Sequence, residues 1–270
     1  ILNPLFIFGY GFIPPLGVAG IGYATILVNI LGVFLILLKV LKSKRIVGLS
    51  IKYFIPNTNL LKKLFFQSAP ISAALLLISV GNFIILTYIG VFGEYAVAGF
   101  GSAARFEQIL LLPVLGLNTA IISIIGQNFG AKNFLRVQES YFTAIKYGFI
   151  LMILSGLIIF LSADKIVGIF SNNPVVIDYG TNYLKISALI FPAYPIFFIS
   201  NGFFMAIKKS KNSMYLNVIR NVILPIPTIL AANAIDGSFE TFFWCYCIAN
   251  WIYVLCLFAY VRSYIKKKIL

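Results

Sequence analysis

The side chains best equipped for chemistry lie inside the apolar runs of this sequence. The densest group is Arg105-Phe106-Glu107-Gln108. Arg105 and Gln108 are three apart and share a helix face; Arg105 and Glu107 do not, which argues against a simple ion pair within one helix. Two roles fit. The group lines a cavity that binds substrate or a coupling cation, or Arg105 reaches the outer headgroups while Glu107 pairs with another helix. Asn82, Asn118, Asn201, Asn217, Asn221 and Asn250 fall mid-run or nearly so, where interhelical hydrogen bonding or the lining of a pathway are the alternatives. Tyr194 sits between Pro192 and Pro195, a pair that favours a local helix break, and breaks at membrane depth line cavities. Lys146, Lys185 and Arg220 lie within a few residues of run ends and are expected to snorkel outward.

Other chemistries find no support. There is no His, the usual general base and commonest metal ligand. Cys245 and Cys247 are two apart and face different ways on a helix, so with Cys256 they read as small apolar residues. No resident cofactor or metal is expected. The sequence has no Gly-rich phosphate loop, no nucleophile beside a base and no carboxylate pair within a run, so an enzyme is not expected. A non-transporting receptor or scaffold would need a long recognition loop, and a channel would need a polar stripe on one helix; neither is visible.

The elements that position these residues follow from composition. Of 270 residues, 61% are hydrophobic and 10% charged, against about half and a quarter in soluble domains, so lipid is the expected solvent. Eight apolar runs cover 1–13, 17–38, 64–92, 99–126, 141–162, 181–206, 213–235 and 241–261. All but the first reach the roughly 20 residues that cross a bilayer as a helix. The first has no basic leader and no small-residue cleavage site, and reads as a helix cut by the start of the sequence. Pro70, Pro113, Pro192, Pro195, Pro225 and Pro227 fall inside runs, which membrane helices tolerate where neighbours satisfy the freed carbonyls.

Charge supplies the topology. Alternate connections (39–63, 127–140, 207–212 and the tail from 262) hold 16 basic and 1 acidic residue, and the intervening ones hold 1 basic and 5 acidic. By the positive-inside bias the basic side is cytoplasmic, which places a multi-pass chain in the inner (cytoplasmic) membrane with its C-terminus inside. The net charge of +14 then reflects loops facing anionic lipid, and no nucleic acid is expected as a partner. The loop with Pro56-Asn57-Thr58-Asn59 marks a lobe boundary. The expected layout is 1–41 as the last two helices of one lobe, 42–63 as a basic cytoplasmic linker, 64–262 as a six-helix lobe, and 263–270 as a basic tail. Sliding 1–42 onto 222–263 aligns Pro4 with Pro225 and Asn29 with Asn250, a weak internal repeat of the kind transporters use.

The motifs Ala98-Gly99-Phe100-Gly101, Ala104-Arg105-Phe106-Glu107, Leu112-Pro113, Gly116-Leu117-Asn118-Thr119-Ala120, Gly126-Gln127-Asn128-Phe129-Gly130-Ala131-Lys132-Asn133, Arg136-Val137 and Glu139 resemble the multidrug and toxic compound extrusion (MATE) transporters. Further matches are Ile1-Leu2-Asn3-Pro4-Leu5-Phe6-Ile7-Phe8-Gly9, Leu16-Gly17-Val18-Ala19-Gly20 with Ala24-Thr25, and the run containing Pro70. The resemblance implies helices five to twelve of an all-α, twelve-helix, two-lobe polytopic membrane protein with pseudo-twofold repeats. It implies a monomeric secondary antiporter that exports amphipathic or cationic organic compounds by alternating access in exchange for Na+ or H+. The substrate or cavity residues would be Asn82, Arg105, Glu107, Gln108, Asn118, Tyr194 and Asn201. The family links cation binding to the positions of Asn3 and Thr25, but often has Asp where this sequence has Asn3. Asn3 can coordinate through its carbonyl and cannot titrate. In the most similar branch a carboxylate in the first helix is central to coupling, and that helix lies outside the stretch of the family that this sequence resembles. The acid that another branch carries early in the helix after the linker is absent, since Pro70 to Leu86 contains no Asp or Glu. The alternative within the superfamily is a flippase for a lipid-linked oligosaccharide, which calls for a strongly basic cavity.

Overall fold

The computed structural model describes residues 2–9, 14–42 and 57–268. The described residues are helical with no strand. They fall into two units, 1–61 and 62–270. Residues 10–13 of the first apolar run and 43–56 of the expected linker lie outside the described residues. Lys62 and Lys63, placed in that linker from sequence, are in the opening turns of a helix.

The first unit is a helical hairpin of α1 (Leu2–Phe8) and α2 (Gly17–Lys42). Gly20 of α2 lies directly on the Phe6 backbone, where a Cβ would collide with its carbonyl. The Phe6 carbonyl also accepts from Leu16 N at 3.1 Å. α2 is long and apolar enough to span, as are α3 (Thr58–Gly90), α4 (Glu94–Gly130), α5 (Phe134–Gly168), the segment 210–235 and α10 (Phe239–Lys268). A further span is a bent pair, α6 (Pro174–Ile190) and α7 (Ala193–Ala206), meeting at 57°. Segment 210–235 runs as α8 (Ser210–Val218), one π-helical turn over Ile219–Ile223, and α9 (Pro225–Ile235).

Local chemistry sets the helix ends. Asn133 caps α5 by accepting from Arg136 N at 3.3 Å, and Asn173 caps α6 by accepting from Val175 N at 2.9 Å, with Pro174 in the first turn. Two basic turns close the preceding helices alike. Lys132 and Lys208 adopt left-handed backbone, and Asn133 N and Lys209 N reach back to Asn128 O (2.9 Å) and Phe204 O (2.8 Å). Glycine is the usual residue there because it lacks a Cβ. In the bundle, α4 crosses α6 where Gly99 faces Gly180: a Cβ on Gly99 would sit 2.9 Å from Gly180 N and 2.7 Å from Val176 O. Close approach between small residues lets dispersion act where lipid removes the hydrophobic drive.

The bend has an identifiable cause. Pro192 has no N–H and cannot continue the α6 ladder. Phe191 N still bonds Ser187 O at 3.1 Å, while Trp251 Nε1 of α10 donates to Leu189 O at 3.0 Å. A neighbouring helix thus satisfies a carbonyl near the break, as lipid-depth backbone requires.

Candidate functional site: a cavity with one buried acid and one buried base

The second unit contains a cavity of about 340 Å³ walled by α3, α4, α6, α7, the π turn and α10. On α4 the lining residues Phe100, Ala104, Glu107, Gln108 and Leu111 recur at the spacing of one helix face. Arg105 is off that stripe and exposed, so of the Arg105–Gln108 group only Glu107 and Gln108 line the cavity.

Glu107 is 6% exposed. Oε2 accepts from Tyr183 Oη and, at 2.9 Å, from Ser187 Oγ; Oε1 accepts from Tyr194 Oη. Tyr183 and Ser187 are one helical turn apart on α6, before the break. Tyr194 begins α7, after it. One carboxylate from α4 is therefore held from both sides of the bent span. Each hydrogen bond to a charged group contributes about 1.5–3 kcal/mol, and three together are the scale needed to offset several kcal/mol for burying an ion. A carboxylate has about four lone-pair sites, so one acceptor position remains.

Arg220 is 8% exposed, contrary to the outward snorkelling expected from its position in the run. The π turn, closed by Leu224 N to Ile219 O at 2.8 Å, carries it into the bundle. Its guanidinium lies 4.2 Å from the Phe197 ring centroid, 4.9 Å from Tyr194 and 5.8 Å from Phe198. Such contacts contribute about 0.5–2 kcal/mol when desolvated. Nε donates to Asn250 Oδ1 at 3.4 Å, and the remaining guanidinium N–H groups have no protein partner among the described residues. Tyr194 connects the two charges, its hydroxyl on Glu107 and its ring under Arg220. Phe100, Phe243 and Tyr246 add aromatic wall.

The other sequence-derived candidates divide. Asn82 and Tyr194 line this cavity with Glu107 and Gln108; Asn118 and Asn201 do not. Asn201 Oδ1 accepts from Ser213 Oγ, an interhelical bond. Asn118 Oδ1 is buried without a hydrogen-bond partner and packs on Gly202, which has no room for a Cβ. Asn3 and Thr25 are exposed on the α1–α2 hairpin, where Thr25 Oγ1 donates to Ile21 O at 2.8 Å. Among the described residues no group of three or more His, Cys, Asp or Glu could hold a metal ion. Tyr183, Ser187 and Arg220 were missed. The Tyr183/Ser187 spacing on one face carried a signal for the first two.

Long apolar helices, one broken beside a cavity lined by one buried acid and one buried base, define an all-α polytopic membrane protein. The profile of the MatE family matches residues 70–230, and the chain belongs to that family, a family of transporters and not of enzymes. It is 22% identical over 237 residues to the multidrug export protein MepA of Staphylococcus aureus and 23% identical to MepA of Staphylococcus saprophyticus, covering 88% of this chain and 51% of each relative. The chain thus spans about half the length of the curated relatives it matches. Among solved structures, a MOP superfamily transporter from Pyrococcus furiosus, described as having a binding pocket of reverse polarity, superposes with TM-score 0.88 at 24% identity, over 99% of this chain and 60% of that one. A Vibrio cholerae MATE transporter, VcmN, superposes with TM-score 0.87 at 21% identity, over 99% and 60%. At these identities the superpositions speak for the fold.

Proposed function

We propose that this chain is part of a multidrug exporter that moves amphipathic or cationic organic compounds across the cytoplasmic membrane by alternating access, in exchange for Na+ or H+. The observation that carries the reading is Glu107, a buried carboxylate in an aromatic-walled cavity beside a broken span. Aromatic walls accept flat apolar bodies of varied shape. A carboxylate with one free acceptor position can take a proton, a monovalent cation or the cationic end of a substrate. The names of the staphylococcal relatives support the export of drugs. Asn3 and Thr25, with their carbonyl and hydroxyl oxygens, are proposed cation contacts on the α1–α2 hairpin. The charge asymmetry supports a cytoplasmic C-terminus, the basic stretch before α3 supports a linker between two lobes, and a monomer is the proposed state.

Arg220 favours one second reading. Its free N–H groups in the cavity wall suit an anionic group, as a lipid-linked oligosaccharide flippase would need. One Arg sharing the cavity with one Glu leaves little net positive charge for a pyrophosphate, so export of organic compounds is preferred. The test uses the full-length protein in sealed vesicles under an imposed Na+ or proton gradient. Gradient-dependent movement of a fluorescent organic cation, lost on Glu107→Gln, is the expected result. No movement under either gradient overturns the drug-export reading, and unchanged movement by Glu107→Gln returns Glu107 to a structural role.

A further inference from the structure

We propose that the C-terminal end of α10 seats the phosphate of an anionic phospholipid from the surrounding bilayer. Two cavities of about 390 Å³ each flank this end of the helix. One lies against α5 and presents Arg262 and Lys266 beside the rings of Phe142 and Phe258, whose centroids are 5.9 Å apart. The other lies against the start of α8 and presents Lys209 and Lys267 beside Tyr260, whose hydroxyl accepts from Asn212 Nδ2 at 3.4 Å. Neither cavity is lined by an acid. Among the described residues Lys209, Arg262, Lys266 and Lys267 have no ion-pair partner. Four cations therefore converge on one helix end with no internal counter-charge.

The face of α10 below them points to lipid as the source of the phosphate. Ile248, Ile252 and Leu255 are 58%, 60% and 59% exposed, and with Ala259, Arg262 and Lys266 they follow the alternating four- and three-residue steps of one helix stripe. An acyl chain laid along the apolar part brings its headgroup to the cations. Basic pockets between transmembrane helices at a membrane surface recognise phosphate headgroups in this way. The inference needs only that the chain spans a bilayer, so it stands or falls separately from the export reading.

The test is lipid retention by the full-length protein purified from micelles with equimolar phosphatidylglycerol and phosphatidylcholine, read by native mass spectrometry. Each surface cation contributes about 1 kcal/mol to anionic-lipid attraction, so Arg262→Gln with Lys266→Gln, or Lys209→Gln with Lys267→Gln, should lower phosphatidylglycerol retention about thirtyfold. Phosphatidylcholine should be unaffected, and Lys165→Gln, in the last turn of α5, should change neither. The swap Arg262→Lys with Lys266→Arg should retain binding, which separates charge from folding. Equal retention of the two lipids by the unaltered protein overturns the proposal. So does a loss matched by Lys165→Gln, or displacement of the lipid by millimolar inorganic phosphate, which marks a free-anion site.

Discussion

Removing one hydroxyl tests whether Glu107 is held as a charged acceptor. Tyr194→Phe deletes a single donor and keeps the ring under Arg220, 4.9 Å from the guanidinium. Neutral interhelical hydrogen bonds in membrane proteins average about 0.6 kcal/mol. Bonds to a charged group contribute about 1.5–3 kcal/mol. Two donors remain on Oε2 and none on Oε1, so the loss should approach the charged range, about 2 kcal/mol. The assay is an unfolding titration of the full-length protein in mixed micelles, run as a double-mutant cycle with Glu107→Gln, the only way to isolate the pairwise part. With the amide in place the same deletion should cost about 0.5 kcal/mol, because a neutral acceptor has been substituted. A loss near 0.6 kcal/mol in the original background, or an equal loss in both, refutes a charge-assisted bond across the break.

Arg220→Lys should not substitute for Arg220. A compact ammonium cannot lie flat over Phe197, Tyr194 and Phe198 while reaching Asn250, and loss of the planar contacts should destabilise by about 1–2 kcal/mol in the same titration. Arg220→Gln should improve export of organic cations relative to neutral dyes in vesicles, since it removes the cavity's one buried positive charge. Gly156→Ala should separate α5 from α6, because its Cβ would lie 2.7 Å from the Ala188 carbonyl; the expected cost is about 1–3 kcal/mol, and an unchanged unfolding midpoint argues against that approach. Asp236, in the turn between α9 and α10, is held below the usual carboxylate range first by Ser238 N and then by the Thr241 hydroxyl. A depressed folded value means its contribution is present above the ordinary carboxylate range and lost as pH falls through the lowered value. Amide exchange over 238–241, corrected for intrinsic rates, should therefore rise at acid pH, and Asp236→Asn should flatten that dependence.

The helices were legible because lipid demands long apolar runs; their ends moved, and the π turn inside the run at 213–235 gave no signal. α4, for example, extends from Glu94 to Gly130, past the run at 99–126, because its ends are polar and exposed. Glu107 was legible as a costly charge in an apolar setting, and Tyr194 through its flanking prolines. Arg220 was expected to snorkel because it lies near the end of its run; the rings of Phe197, Tyr194 and Phe198 and the amide of Asn250 hold it inside the bundle instead, partners that come from other helices. Arg105 and Glu107 could be told apart only once the stripe through Phe100, Ala104 and Leu111 was seen to face the cavity. Asn118 and Asn201 share helix faces with Glu107 and Tyr194 but lie further along α4 and α7, beyond the cavity and against Gly202 and Ser213, a distinction of depth that depends on neighbours from distant parts of the chain.

The attachment of Glu107 to both sides of Pro192 changes what the proline does. A missing N–H provides a joint, but a joint alone leaves its angle free. The α4 carboxylate acts as a brace spanning the elbow, tying the forearm at Tyr194 to the upper arm at Tyr183 and Ser187. A chain that kept Pro192 and lost Glu107 would still bend at the same place, with its angle left to the packing of the buried residues around it and to Trp251.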